Sequence, residues 1–250
     1  MHQKAGIHCA PLLAHVRGVK AFHADVQADI THTQQVLSEL LKHSRERNGD
    51  GAVRAARVRE QIEQGLAKQD HDLERGLLKT IRAVVPSAAV TAWDMTILAY
   101  WAAAHFPVGE PRTFLYPLGS GTLGYAWPAA LGAAAAGVDA PTLAVVGDGG
   151  FLYGIQELAT ARQHGLDTVV LVIDDGGYGI LREYQRASFG ETTAVDLVEP
   201  DYVAAAEAFG VPAERTTPEE LDEALERAFA RGGPGLVHLP VLLRMWDPTE

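Results

Sequence analysis

"VVGDGGFLYG", residues 145 to 154, decides how this chain is read. An apolar run ends in an aspartate set among glycines, and a segment of helical pattern follows. Glycine permits positive φ and lets a ligand approach the main chain. A helix beginning near Tyr153 would aim its first N–H groups at whatever lies in the turn, and an anion such as a diphosphate suits them. A carboxylate beside an anion is tolerated only if a cation lies between them. Asp148 therefore suggests a divalent metal bridging protein and phosphate.

The apolar run "TVVLVID" (168–174) ends in the same way, in Asp174-Asp175 followed by Gly176-Gly177-Tyr178-Gly179. If the two strands are neighbours, their tips lie about 5 Å apart. Asp148 and one member of the aspartate pair then reach one small hard cation. Strand alternation sends Asp174 and Asp175 in opposite directions, so one of them faces the metal. The competing reading is a Rossmann dinucleotide site in an oxidoreductase that binds NAD. "GDGGFLYG" does not match G-x-G-x-x-G, and that fingerprint belongs to the first turn of its domain.

Outward from these turns, short apolar runs alternate with helical stretches. "AAVTAW", "TLAVVGD", "DTVVLVID" and "GLVHLPVLL" read as strands. "MTILAYWAAAHF", "GYAWPAALGAAAAG", "IQELATARQHG", "DYVAAAEAFG" and "PEELDEALERAFARG" read as helices. The strands are apolar throughout, as in a parallel sheet covered on both faces. Residues 86–250 are thus expected to form an α/β domain, a doubly wound, mostly parallel sheet with helices on both faces. Ligands bind such a sheet beyond the carboxyl ends of its strands. Residues 1–85 are polar and helical in pattern, a mainly helical segment and linker with a turn signal at "NGDG" (48–51). Between Ala52 and Val85, the residues Leu73, Leu77, Ile81 and Val84 form one stripe, as in a solvated helix resting on a core by one face.

Bulk properties bound the function. With 47% apolar residues in 250, the chain can build a sizeable core. A net charge of -11 argues against nucleic acid as the main partner. The single cysteine, Cys9, allows no internal disulfide, which suits a reducing compartment. "MHQKAGIHCAPLLAHV" lacks the apolar core of a secretory signal, and "YAWPAALGAAAAGV" is too short and too broken to span a bilayer. A soluble, cytoplasmic protein is expected, without a membrane role. His2, His8, His15, His23, His32 and His43 lack the paired spacing of a zinc site. His105, His164 and His238 are expected to be structural or at the surface.

Gly147-Asp148-Gly149, then 24 residues, then an acid pair, resembles the signature of thiamine-diphosphate-dependent enzymes. "GSGTLGYAWPAALGAA" (119–134) and "DGGYGILREYQ" (175–185) are similar to acetolactate-synthase-like enzymes and 2-oxo acid decarboxylases. The resemblance covers about residues 85–245, the family's C-terminal diphosphate-binding domain. It implies Mg²⁺ held by the side chains of Asp148 and Asp175 and by the Gly177 carbonyl. Gly149 and Gly150 N–H groups would hold the diphosphate, within a lining that includes Gly147, Tyr178 and Gly179. Along Gly119, Ser120, Gly121, Thr122 and Leu123 would lie the rest of thiamine diphosphate. There the resemblance gives two residues a catalytic part: the Gly121 carbonyl accepts from the aminopyrimidine, and Leu123 forces the cofactor to bend. The thiazolium then serves as electron sink for decarboxylation or carboligation of a 2-oxo acid.

The chain departs from the family at two points. The usual Asn-Asn or Asn-Asp is Asp174-Asp175 here, which adds a negative charge near the diphosphate and should lower cofactor affinity; Asp174 is expected to hydrogen-bond the adjoining turn. Leu181 stands where some decarboxylases carry an acid, which argues against acid-assisted pyruvate decarboxylation. Leu181 and Arg182 are the substrate-side candidates, Arg182 either meeting a substrate carboxylate or lying solvated on its helix. Tyr178 is a cofactor contact or a packing residue. "RASFGETTAVDLVEPDY" (186–202) resembles the family's mobile loop, with Arg186 and Phe189 as weaker candidates. Residues 10–45 weakly resemble the tail of the family's middle domain. The pyrimidine-binding domain, with its glutamate, is not recognisable. A separate polypeptide supplying it, in a homo- or hetero-oligomer, is expected; the alternative is a non-catalytic regulatory subunit or an inactive truncation.

Overall fold

The computed structural model describes residue 42 and residues 49–138, 140–198 and 200–247. Its six strands form one sheet: β1 (Thr91–Trp93), β2 (Phe114–Leu115), β3 (Thr142–Gly147), β4 (Thr168–Asp174), β5 (Ala213–Arg215) and β6 (Gly235–Pro240). The order is β2-β1-β3-β4-β6-β5, and every pairing is parallel. Successive strand residues face opposite sides, and here both sides are apolar. Leu143, Val145, Leu171, Ile173, Val237 and Leu239 enter one core cluster, while Ala144, Val146, Val170, Val172 and Leu236 enter the other. Leaving either set in water would forfeit about 1.5–3 kcal/mol for each large side chain, so helices must cover both faces.

Nine α-helices lie in the described residues: α1 (Gly51–Leu66), α2 (Asp72–Val84), α3 (Ile97–His105), α4 (Ala126–Ala135), α5 (Asp148–Phe151), α6 (Glu157–His164), α7 (Gly179–Phe189), α8 (Tyr202–Ala208) and α9 (Leu221–Arg231). The first cluster is closed by α2, α3 and α9 through Ile81, Trp101 and Leu225. The second is closed by α4, α6 and α8 through Trp127, Leu158 and Tyr202. The sheet is therefore doubly wound. Its strand order reverses at β1, with β2 on one side and β3 on the other, which opens a crevice at the carboxyl ends of β1 and β3.

Residues Gln61–Glu250 form one compact unit; of the other, Met1–Glu60, the described residues are 42 and 49–60. The six N-terminal histidines and Cys9 lie outside the described residues, as does the 10–45 stretch apart from Lys42. None of the described helices is long and apolar enough to cross a membrane.

Three local expectations are corrected. Helical structure starts at Asp148 itself, in the single turn α5, and resumes only at Glu157 rather than near Tyr153. The Ala52–Val85 pattern is two helices, and Leu73, in the first turn of α2, is 40% exposed while Leu78 joins Leu77 and Ile81 in the core. The edge strands β2 and β5 escape a periodicity search because they span two and three residues.

Candidate functional site

A cavity of about 220 Å³ opens beyond the carboxyl ends of β1, β3 and β4. The turn after β3 brings Gly147, Asp148, Gly149 and Gly150 to its wall, and the loop after β4 brings Asp175, Gly177, Tyr178 and Gly179. The two strands are hydrogen-bonded neighbours, Gly147 lying opposite Ile173, so their tips adjoin.

Asp148 is 2% exposed, and its Oδ2 has no hydrogen-bond partner; Asp175 Oδ1 is likewise buried without one. Burial pushes the Asp148 carboxyl up to about 7; the Gly149 N–H opposes this, and the charges of Asp175 and Asp174 add to it. Burial also pushes Asp175 up, to about 6, against the pull of Arg182. Two buried carboxylates on one cavity wall, each with an oxygen that has no hydrogen-bond partner, are a donor set for a cation. Among the described residues no three His, Cys, Asp or Glu side chains converge as a metal cage. The protein would thus offer two carboxylates and a main-chain carbonyl, leaving positions for phosphate oxygens and water, as Mg²⁺ prefers.

The aspartate pair splits as alternation requires. Asp174 is buried away from the cavity, its Oδ2 lying 2.7 Å from His238 Nε2 on β6. Its Oδ1 accepts from the Gly176 N–H at 3.1 Å, the turn contact expected of it. The glycines answer to close approach. A Cβ on Gly149 would lie 2.6 Å from the Tyr178 ring, and one on Gly177, whose φ is 152°, would overlap the Val195 carbonyl oxygen. Within the single turn of α5 the Gly149 and Gly150 N–H groups precede any intrahelical acceptor.

The upstream candidates divide. Gly121, with φ 61°, and Leu123 line the cavity, whereas Gly119, Ser120 and Thr122 are exposed on the same loop and do not. Leu181 lines it at 45% exposure. Arg182 does not: its guanidinium donates to the Asp175 carbonyl at 3.1 Å, the Gly176 carbonyl at 3.2 Å and Asp196 Oδ1 at 3.2 Å. Arg186 pairs with Glu183 at 3.6 Å, and Phe189 is 77% exposed. Beyond them the chain returns to the site, where the Tyr178 N–H donates to Val195 O and the Leu197 N–H to Gly176 O, at 2.8 and 3.0 Å.

One acid on the wall escaped the motif search. Asp94 closes β1 and is fully buried, its Oδ1 accepting from the Met95 N–H at 2.8 Å and its Oδ2 from the Gly124 N–H at 2.9 Å. Burial raises its pKa. Its carboxylate lies close against the turn after β3, where a Cβ on Gly150 would come within 3.1 Å of its Oδ2. An acid at a strand end was the signal, masked because no glycine follows. Tyr100 on α3 lines the cavity from a helix whose sequence carries no motif, and Tyr184 on α7 lines it from within the 175–185 stretch.

Residues 94–239 match the family model described as thiamine pyrophosphate enzyme, C-terminal TPP binding domain. The chain belongs to this family. It is 36% identical over 220 residues to the probable 2-ketoarginine decarboxylase AruI of Pseudomonas aeruginosa, covering 86% of this chain and 38% of that protein. It is 37% identical over 153 residues to a probable acetolactate synthase large subunit of Methanocaldococcus jannaschii, covering 60% of this chain and 25% of that one. Among solved structures, the thiamine diphosphate-dependent 4-hydroxybenzoylformate decarboxylase of Rhodococcus jostii RHA1 superposes with a TM-score of 0.64 at 29% identity, over 70% of this chain and 33% of that one. The chain thus spans well under half the length of these thiamine-pyrophosphate-family relatives. The cavity with its two glycine-flanked carboxylates lies within the matched domain.

Proposed function

We propose that this chain forms the thiamine-diphosphate- and Mg²⁺-binding half of the active site of a lyase or transferase that decarboxylates or carboligates 2-oxo acids. One observation carries the reading: two buried carboxylate oxygens without a hydrogen-bond partner, Asp148 Oδ2 and Asp175 Oδ1, at adjoining strand ends beside a glycine turn. In this reading Asp148, Asp175 and the Gly177 carbonyl hold Mg²⁺. Gly149 and Gly150 N–H groups receive the diphosphate in the lining made by Gly147, Tyr178 and Gly179. Of the 119–123 loop, Gly121 and Leu123 reach the cavity, where the Gly121 carbonyl would accept a hydrogen bond from the cofactor and Leu123 would pack against it. When bound, the cofactor supplies an electron sink for cleavage next to a carbonyl.

The chain's own residues bind, orient and exclude water. Asp94 holds the 121–124 loop through the Gly124 N–H, beside the turn after β3, where Gly150 leaves room for its carboxylate. Leu181 offers the cavity an apolar side chain, so α7 presents no proton donor at that position. The glutamate of a pyrimidine-binding domain, on a separate polypeptide in a homo- or hetero-oligomer, would complete the site. The names of the relatives, a decarboxylase and acetolactate synthase large subunits, support this reaction class.

Calorimetry with thiamine diphosphate and Mg²⁺ tests the reading, first on the chain alone and then with the pyrimidine-domain protein captured from the native host. Magnesium-dependent binding, strengthened by the partner, is the expected result. No heat in either arm sinks it and leaves the fold in a non-catalytic role.

A further inference from the structure

We infer that Arg182 is the positioning residue for the loop Asp175–Gly177, holding the carboxylate and carbonyl assigned to Mg²⁺; the inference rests on that assignment. The loop's own ties use main-chain groups, Gly176 N–H to Asp174 Oδ1 and Leu197 N–H to Gly176 O. Gly176 and Gly177 have φ of 79° and 152° and no side chains to anchor them. Arg182, one turn into α7, reaches back over them with its side chain only 13% exposed. Nη1 and Nη2 donate to the carbonyls of Asp175 and Gly176, while Nε and Nη2 meet Asp196 Oδ1 at 3.2 and 3.1 Å. One guanidinium therefore spans the metal loop and the returning segment around Val195–Leu197.

The ion pair with Asp196 is weak by itself, because that carboxylate is 78% exposed. The part-buried, charge-assisted bonds to the two carbonyls carry more of the stabilisation. Their geometry needs a planar fork, which lysine lacks. The remaining contact is an offset one: Nη1 lies 3.7 Å from Asp175 Oδ1. At that distance the charge of Arg182 opposes the repulsion of Asp174 at Asp175, and Asp175 Oδ1 still has no hydrogen-bond partner. Arg182 is not among the residues that line the cavity, so its donors serve the loop and the returning segment.

The test is thiamine diphosphate binding by the full chain, with its partner where binding requires it, across a Mg²⁺ concentration series. Arg182→Gln and Arg182→Lys should each raise the Mg²⁺ concentration for half-maximal binding about tenfold or more, with excess Mg²⁺ restoring binding. Asp196→Asn should raise it only about two- to threefold. A purely structural role would lower the unfolding temperature and leave this requirement unmoved, which overturns the inference. So does a raised substrate KM with an unmoved Mg²⁺ requirement, the result expected of a substrate ligand. Should Arg182→Gln fail to fold, Asp196→Asn on the exposed segment reads the same clamp, and a wild-type Mg²⁺ requirement there overturns it. Wild-type chain that binds no cofactor at any Mg²⁺ concentration defeats the proposed function itself. Magnesium-dependent wild-type binding with unmoved variants defeats only the role of Arg182.

Discussion

Asp148 and Asp175 are held at a cost that shows in the metal-free chain. Their folded pKa values, about 7 and about 6, lie above the ordinary 3.8, so between these limits the folded chain binds more protons than the unfolded one. Stability then falls as pH rises through roughly pH 4 to 7. With chelator present, the unfolding temperature of wild type should drop more between about pH 5 and about pH 8 than that of Asp148→Asn. Equal slopes would show that Asp148 does not titrate as its burial demands. Gly179 gives a second check. A Cβ there would overlap Asp175 Oδ2, a movable side-chain atom, while alanine is otherwise the better helix former. Gly179→Ala should keep its unfolding temperature and lose Mg²⁺-dependent cofactor binding in calorimetry, because the displaced group is the carboxylate.

The strand pair β4–β6 shows what an element contributes. Register places Val172 opposite His238 and Asp174 opposite Pro240, which brings the imidazole within 2.7 Å of the Asp174 carboxylate in a buried setting. Removing the histidine strands that carboxylate. His238→Leu should cost about 3 kcal/mol in urea unfolding, and less than half of that in an Asp174→Asn background. Additive costs would mean that the two do not couple. The histidine had been expected to be structural or at the surface, and it is buried and paired. Its partner lies 64 residues earlier, and no local pattern announces such a contact. The strands β3 and β4 were readable because the unbroken apolar runs Leu143–Val146 and Val169–Ile173 suit a sheet covered on both faces. β5, "AER", gives no such signal and is a strand only because β6 offers it an edge.

Across the compact unit, the C-terminal segment after β6 closes the first core cluster. Arg244 N–H donates to buried Glu74 at 2.7 Å, Trp101 Nε1 donates to Arg244 O at 2.8 Å, and the Trp246 ring packs 4.9 Å from that of Trp101. A chain ending at Pro240 should therefore lose about 3 kcal/mol in urea unfolding, since Glu74 is left buried without this donor and Trp101 is uncovered. A change below about 1 kcal/mol would show the segment to be decoration.

By itself the sequence determined the sheet type, the order of the main elements and the two glycine-flanked acids. Apolar runs and glycine-acid punctuation act through local backbone geometry and through burial on both faces of a strand. Only the tertiary structure decided that Asp174 pairs with His238, where Arg182 sends its donors and that Asp94 joins the wall. Those outcomes depend on what neighbouring strands and the returning segment place beside each side chain, and groups that meet across such distances in sequence leave no periodic trace in it.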